Sequence, residues 1–390
     1  MQLKLFNSLG GKTEVFRPVK RRTVSMYVCG ITPYDVTHLG HAFTYVFFDA
    51  LSRYLEFLGF SVIYTQNVTN IDDDILKRAK KENKDWGQFG DLCTKSYLND
   101  MKALNVRMPT YYVKATDSIP KMITMISGLI KKGFAYTSAG NVYFDTSKFP
   151  QYGKLSGFNA KQMALLLGER GGNPSDPLKR NNLDFILWQG KKEGEPSWDA
   201  PFGQGRPGWH IECSAMIKQY LGDRIDIHGG GRDLIFPHHE SEIAQSESFT
   251  GKRPFSRYFM HTAMVMFMGE KMSKSLGNLV LVSDLLKRYS PNAIRWMLLS
   301  HKYRETWEYS ADEMNDAKIR VNKIERHIKR LDAENNSCNA IAKKAMADFL
   351  LAMNDDMNIP AALRVIELLD NEGNESHTVR YMMSILGFRV

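Results

Sequence analysis

"TVSMYVCG" (residues 23–30), then, after a polar loop, "HLGHAFTYVFFDALSRYLEFLG" (38–59) and "FSVIYTQNVT" (60–69) form the stretch on which the fold turns. The first segment reads as a buried strand ending in a glycine. In the second, Phe43, Phe47, Ala50, Leu51, Tyr54, Leu55 and Leu58 recur at helical spacing, and Gly59 is a natural stop. The third is the next strand. Strand, loop, helix and strand in this order make a βαβ unit, so a parallel α/β sheet begins here. Ligands of such sheets bind beyond the strand C-termini, beside helix N-termini. His38 and His41 sit at that place.

Further along, residues 75–108 look helical and charged on one side. From about 110 to 205 the pattern is mixed and turn-rich, as in "SAGNVYFDTSKFPQYGKLSG" and "GERGGNPSDPLKRNN", and reads as an insertion between two halves of the sheet. The sheet resumes with the helix start "PGWHIECSAM" and the short strand "DRIDIHGGG". Strand, loop and a lysine-rich hairpin follow in "RYFMHTAMVMFMGEKMSKSLGN", and helices follow after about 305. The expected units are 1–110 and 206–265 for the two halves of the sheet, 111–205 for the insertion, 266–305 for the lysine loop and its junction, and 306–390 for a helical domain.

The chain has 390 residues, 43% hydrophobic and 24% charged, a soluble globular balance. The start "MQLKLFNSLGGKTEVF" lacks the layout of a signal peptide and no apolar run approaches a bilayer span, so a cytoplasmic protein with no membrane partner is expected. Four widely spaced cysteines without a CxxC pair argue against disulfides. Cys93 and Cys338 lie in polar stretches of helical pattern and receive no role. The net charge of +9 is spread out, which permits a polyanionic partner and equally fits a basic surface that aids solubility.

"HGGGRDLIFPHHESE" (228–242) puts three glycines before two histidines and two glutamates. Taken alone, Gly229, Gly230 and Gly231 are a tight turn, and His238, His239, Glu240 and Glu242 the wet first turn of a helix opened by Pro237. "HLGH" (38–41) and "KMSKS" (271–275) change the reading. Each is weak by itself; in this order, on a βαβ framework, they are specific. On these motifs the chain resembles a class I aminoacyl-tRNA synthetase, and more narrowly the cysteinyl branch, which includes cysteinyl-tRNA synthetase and the cysteine ligase of mycothiol synthesis. The resemblance runs from about residue 3 to 370. It implies an α/β fold: a Rossmann-like parallel sheet with an inserted connective domain and a C-terminal helical bundle.

The resemblance also implies adenylate formation from ATP, with Mg2+ accompanying the nucleotide, in which negative charge builds on the phosphates. Donors placed on that charge do the catalysis. His38 and His41, at a helix N-terminus beside small Gly40, can approach the triphosphate. Lys271 and Lys274 can close over the leaving pyrophosphate. The fourth signature position is often asparagine in the tRNA enzymes; His41 matches the mycothiol ligases.

The family's zinc ligands carry onto Cys29, Cys213 and His238, with Glu242 added by the tRNA branch. Two thiolates, an imidazole and a carboxylate make a sound zinc set, and His238 and Glu242 at i, i+4 share a helix face. His239 and Glu240 are expected to point elsewhere, with His239 the minor alternative ligand; a purely structural zinc clamp is the blander reading. Gly229, Gly230 and Gly231 leave room for adenosine and Asp233 can accept from ribose hydroxyls. Gly30, Thr32, Trp209 and His228 match residues around the cysteine pocket, although Trp209 also reads as plain core. "NIDDDI" (70–75) can bind the substrate amine or simply cap a helix.

The expected activity is ATP-dependent activation of L-cysteine followed by transfer to tRNA(Cys). The alternative acceptor is the amine of glucosaminyl-inositol, because "ITPYDVTHLGHA" and "ERGGNPSDP" look like the mycothiol branch. "FPHHESEIAQSE" and "AMNDDMNIPAALRVIELL" look like the tRNA branch. A non-catalytic paralogue that binds cysteine or tRNA is the third reading, disfavoured by two complete phosphate motifs. The chain ends at "SILGFRV", where the family's tRNA enzymes continue into an anticodon-binding domain, and a monomer is expected.

Overall fold

The computed structural model describes residues 2–33, 37–272, 276–331, 340–372 and 375–390. A hairpin of β1 (Lys4–Asn7) and β2 (Lys12–Val15) precedes β3 (Thr23–Ile31), α1 (Leu39–Phe57) and β4 (Ser61–Val68). β3 and β4 pair in parallel, as the opening stretch predicts. After α2 (Asp73–Lys81) and α3 (Trp86–Ala103) comes β5 (Tyr111–Lys114), parallel to β4. The sheet is completed by β10 (Ile225–Gly231) and β11 (Ser256–Thr262), giving the order β11-β10-β3-β4-β5, all parallel. The order reverses between β3 and β10, the crevice where such sheets bind ligands.

Alternation along β3 decides which side chain goes where. Val24, Met26 and Val28 pack into one core with α1, while Tyr27 and Cys29 pack into another on the opposite face. The second core is covered by α4 (Ile119–Lys131), α6 (Trp209–Tyr220) and α7 (Glu240–Thr250). Period two therefore aims Cys29 at Cys213 of α6.

The inserted segment forms an antiparallel sheet of β6 (Ala135–Ser138), β7 (Asn141–Phe144), β8 (Phe185–Gly190) and β9 (Gly205–Pro207), with α5 (Ala160–Glu169) between β7 and β8. Tyr111–Lys114 differs from the sequence reading, which placed it in the insertion. It is the edge of the parallel sheet, and four residues are too few to show a period. β12 (Val265–Phe267) and β13 (Glu270–Lys271) make the lysine hairpin, and β14 (Trp307–Glu308) pairs with β12. Helices α8 (Val282–Leu286), α9 (Pro291–Leu299), α10 (Ala311–Leu331), α11 (Ala340–Asn354), α12 (Ile359–Glu372) and α13 (Ser376–Ile385) follow. Cys93 is half-buried on α3; Cys338 lies outside the described residues. No described helix is long and apolar enough to cross a membrane.

A buried ion pair joins α1 of the parallel-sheet layer to the C-terminal helices. Arg295 of α9 is 1% exposed and bonds Asp49 of α1 and the carbonyls of Leu104 (3.0 Å) and Leu386 (2.7 Å). Asp49 also binds Arg53 and the Arg107 amide. Gly387 must lack a side chain: its φ is +82° and a Cβ would meet the Arg295 guanidinium at 2.3 Å. Removing one partner of such a pair leaves a charge and two carbonyls dry. Arg295→Met is expected to cost on the order of 3–5 kcal/mol, read as a lower urea midpoint. An unchanged midpoint would show that the node is dispensable.

Candidate functional site

The site starts from an irregularity at the C-terminal end of β3. Against β4, Val28 is level with Gln66 but Ile31 with Val68, so β3 carries one extra residue around Cys29 and Gly30. The backbone groups freed by this bulge are taken by side chains. Asn67 Oδ1 accepts from the Gly30 amide at 2.8 Å, and the Tyr45 hydroxyl donates to the Cys29 carbonyl at 3.0 Å. Only glycine fits at position 30, because a Cβ would lie 1.6 Å from the Asn67 carbonyl oxygen.

Behind Cys29 lies a sealed group of donors. Cys29, Cys213, His238 and Glu242 are each no more than 4% exposed, and their ligand atoms all lie within 4.8 Å of one another. The sulfurs are 3.8 Å apart, Cys29 Sγ is 3.6 Å from Glu242 Oε1, and His238 Nε2 is 3.2 Å from the same oxygen. This group can hold a metal ion. Burial pushes the Cys29 and Cys213 thiols up, with Glu242 adding to both, and pushes the His238 imidazole well down. Without a cation the low-dielectric setting favours neutral thiols; a cation would favour the thiolates while leaving the imidazole neutral, the form in which it ligates.

The wet helix turn suggested by the local sequence is not what forms: His238, His239, Glu240 and Glu242 are all buried. α7 begins only at Glu240, and Phe236 is extended (φ −134°, ψ 135°), so the two preceding histidines both turn inward. His239, expected to point elsewhere, places Nε2 3.3 Å from Cys29 Sγ and Nδ1 2.8 Å from His261. Cys29, His228, His239 and Glu242 make a second, overlapping group of possible ligands. Glu240 does turn away, accepting from the amides of Leu155 and Ser156 in the insertion.

On the open side of Cys29 is a cavity of about 410 Å3, lined among others by Gly30, Thr32, His38, Gly40, His41, Trp209, Gly231, Asp233 and Lys271. His38 caps α1, its Nδ1 accepting from the Gly40 amide at 3.1 Å, which leaves Nε2 to carry the proton. A Cβ on Gly40 would lie 3.0 Å from that ring. The His41 ring stacks on it at 3.8 Å. Burial, then the His38 charge, holds His41 well below the usual imidazole range, so His41 meets a ligand as a neutral N–H donor at a helix N-terminus. Lys271 Nζ lies 3.4 Å from Asp233 Oδ2. Lys274 lies outside the described residues. The segments carrying the two motifs are joined through backbone, Leu39 donating to Val280 and Val282 to Thr37.

The other expected residues divide. The glycines form the end of β10 rather than a turn. Gly231 reaches the cavity; Gly229 makes room for Phe48 of α1, and Gly230 for Leu234 and His239. His228 is fully buried, 3.0 Å from Glu242 Oε2, and does not line the cavity. Trp209 lines it and stacks on His238 at 4.3 Å, serving core and cavity together. Asp72 of "NIDDDI" caps α2, accepting from the amides of Asp74 and Ile75. Tyr45 and Tyr97 have no visible role in the sequence because aromatic residues in helices look like ordinary core, and Asn67 because a single polar residue in a strand carries no local signal of its partner.

The family model for the class I (C) tRNA synthetase catalytic domain matches residues 15–319. The cysteine--tRNA ligase of Methanococcus maripaludis is 45% identical over 386 residues, covering 96% of this chain and 80% of that protein. That of Dehalococcoides mccartyi is 45% identical over 373 residues, covering 95% and 81%. Among solved structures, Mycobacterium tuberculosis methionyl-tRNA synthetase with methionyl-adenylate superposes at a TM-score of 0.67 with 15% identity, over 94% of this chain and 89% of that one, a likeness of fold. With the motif order, the parallel sheet and the buried donor group all in agreement, the chain belongs to the cysteinyl branch of the class I aminoacyl-tRNA synthetases.

Proposed function

We propose that this chain activates L-cysteine with ATP and transfers it to tRNA(Cys). The observation that carries the reading is a shared cavity: Cys29 of the donor group and Trp209 line the same space as His38, His41 and Lys271. The names of the relatives, cysteine--tRNA ligase in each case, favour tRNA over the aminosugar acceptor.

In the first step a carboxylate oxygen of cysteine bonds to the α-phosphorus of ATP, and the bond to pyrophosphate breaks. Negative charge grows on the departing group. In this reading the His38 and His41 N–H groups and the ammonium groups of Lys271 and Lys274 bind that charge, beside Mg2+ carried in with the nucleotide. Asp233 must exchange Lys271 for the ribose hydroxyls, a small cost because half-exposed pairs are worth about 1 kcal/mol or less. Gly40 and Gly231 let the nucleotide approach the backbone. In the second step a terminal hydroxyl of tRNA attacks the adenylate carbonyl and AMP leaves.

Zinc fits the donor group. A tetrahedron with bonds of about 2.3 Å to sulfur has edges of about 3.8 Å, the separation found between Cys29 and Cys213. Cys29, Cys213, His238 and Glu242 would hold the ion, with His228 fixing Glu242 from behind. Bound zinc would supply a soft acceptor for a thiolate where serine offers only a hard hydroxyl, a distinction that shape alone cannot make.

Zinc content measured by atomic absorption should fall sharply in Cys213→Ser and His238→Ala, and less in Glu242→Gln. Because burial raises both thiols, the ion must displace their protons, so zinc retention on dialysis should weaken as the buffer is made acidic. Full zinc in Cys213→Ser would move the ion to the group made by Cys29, His228, His239 and Glu242.

Lys274→Ala should slow cysteine-dependent pyrophosphate exchange by roughly two to three orders of magnitude without loss of zinc, as expected for one positioned donor on a developing charge. Exchange at the wild-type rate would remove the lysine loop from the chemistry.

Acceptor choice is read with labelled cysteine and either tRNA or glucosaminyl-inositol. Charging of tRNA should occur and its affinity should fall steeply with salt, since phosphate contacts release counterions. Use of the aminosugar alone, flat in salt, would overturn the tRNA assignment.

A further inference from the structure

The soft-donor argument separates cysteine from serine and is silent about a longer thiol. Homocysteine carries the same sulfur on a side chain one methylene longer. A site that takes one thiolate takes the other, so a wall of the cavity has to reject it.

Two aromatic side chains stand where such a wall is needed. Tyr45 and Tyr97 line the cavity together with Cys29, Gly30 and Trp209. They are 3% and 2% exposed, and their rings meet edge to face, centroids 5.4 Å apart at 74°. Both are tied at the hydroxyl. Tyr45 donates to the Cys29 carbonyl (3.0 Å), and Tyr97 accepts from Gln66 Nε2 (2.8 Å). Gln66 Oε1 in turn accepts from Tyr64 (3.0 Å). The bracing thus links β4 to α3 and α1 to the bulged residue of β3. Neither ring can swing aside without stranding a buried polar group. A substrate held by sulfur near Cys29 and by carboxylate at the phosphate has a set length to span. An extra methylene has to buckle sideways, and closely packed walls do not absorb it.

We propose that Tyr45 and Tyr97 set the size limit of the amino-acid pocket and exclude homocysteine, with Gln66 as a positioning residue. The proposal rests on the cysteine-activation reading above. It concerns neither zinc ligation nor phosphate handling.

The test compares cysteine and homocysteine in pyrophosphate exchange and in calorimetric binding to the zinc-loaded chain. For the wild type, kcat/KM should favour cysteine by at least about 100-fold, the upper part of the range for one methylene. Tyr97→Leu, which lowers the wall, should shrink that ratio by about tenfold or more, chiefly through a lower KM for homocysteine. Tyr97→Phe keeps the ring and should restore most of the discrimination. A ring that only supports the fold would slow both substrates together and leave the ratio untouched. An unchanged ratio in folded Tyr97→Leu overturns the proposal, as does wild-type use of homocysteine within tenfold of cysteine. If Tyr97→Leu does not fold, wild-type calorimetry decides: cysteine should bind and homocysteine should not, and equal affinities overturn the wall. A wild type that binds cysteine yet shows no cysteine-dependent exchange would refute the activation reading and leave the binding comparison to judge the wall.

Discussion

Gathering Cys29, Cys213, His238 and Glu242 in a space sealed from water is the constraint around which the rest is arranged. Bringing two thiols, an imidazole and a carboxylate out of water is unfavourable unless they bind one another or a cation. The fold meets that demand with three elements that approach from different directions: the bulged end of β3, the first turns of α6 and the start of α7. Each is held in turn. Asn67 and Tyr45 take the backbone groups freed by the bulge. Trp209 stacks on His238, and His228 holds the second oxygen of Glu242. Glu240, two residues before Glu242, ties α7 to the inserted segment through the Leu155 and Ser156 amides.

The cavity inherits its polarity from this arrangement. One part of its lining is uncharged and partly aromatic, with Gly30, Thr32, Tyr45, Tyr97 and Trp209. Another carries His38, His41 and Lys271, groups that donate hydrogen bonds. A small amino acid joined to a polyphosphate has this division of character. The backbone pairing of residues 37–39 with 280–282 connects the cap of α1 to the segment that follows the lysine loop. Rearrangement of that segment would therefore act on the histidine cap directly.

Much of this was legible locally. The βαβ unit at 23–69 announced itself because helical and strand periodicities express only near-neighbour geometry. His38, Gly40 and His41 were legible because a helix start and a close approach fall within one helical turn. The donor set was readable only through the family resemblance, since Cys29 and Cys213 are 184 residues apart and no local rule relates them. A regular helix from Pro237 would turn His239 away from the donors, whereas the extended Phe236 turns both histidines inward. The short strand at Tyr111–Lys114 was too brief to carry a period.

By itself the sequence determined the parallel sheet, the helices around it, the helix N-terminus at His38 and the kinds of side chain available for chemistry. These follow from steric and solvent preferences acting over a few residues. Tertiary structure alone decided that Gly229 clears Phe48 while Gly231 opens on the cavity, and that His228 stands behind Glu242. It alone braced Tyr45 and Tyr97 across four elements. The physical reason is that exclusion from water and the direction of a buried hydrogen bond depend on what the rest of the chain brings to the same place.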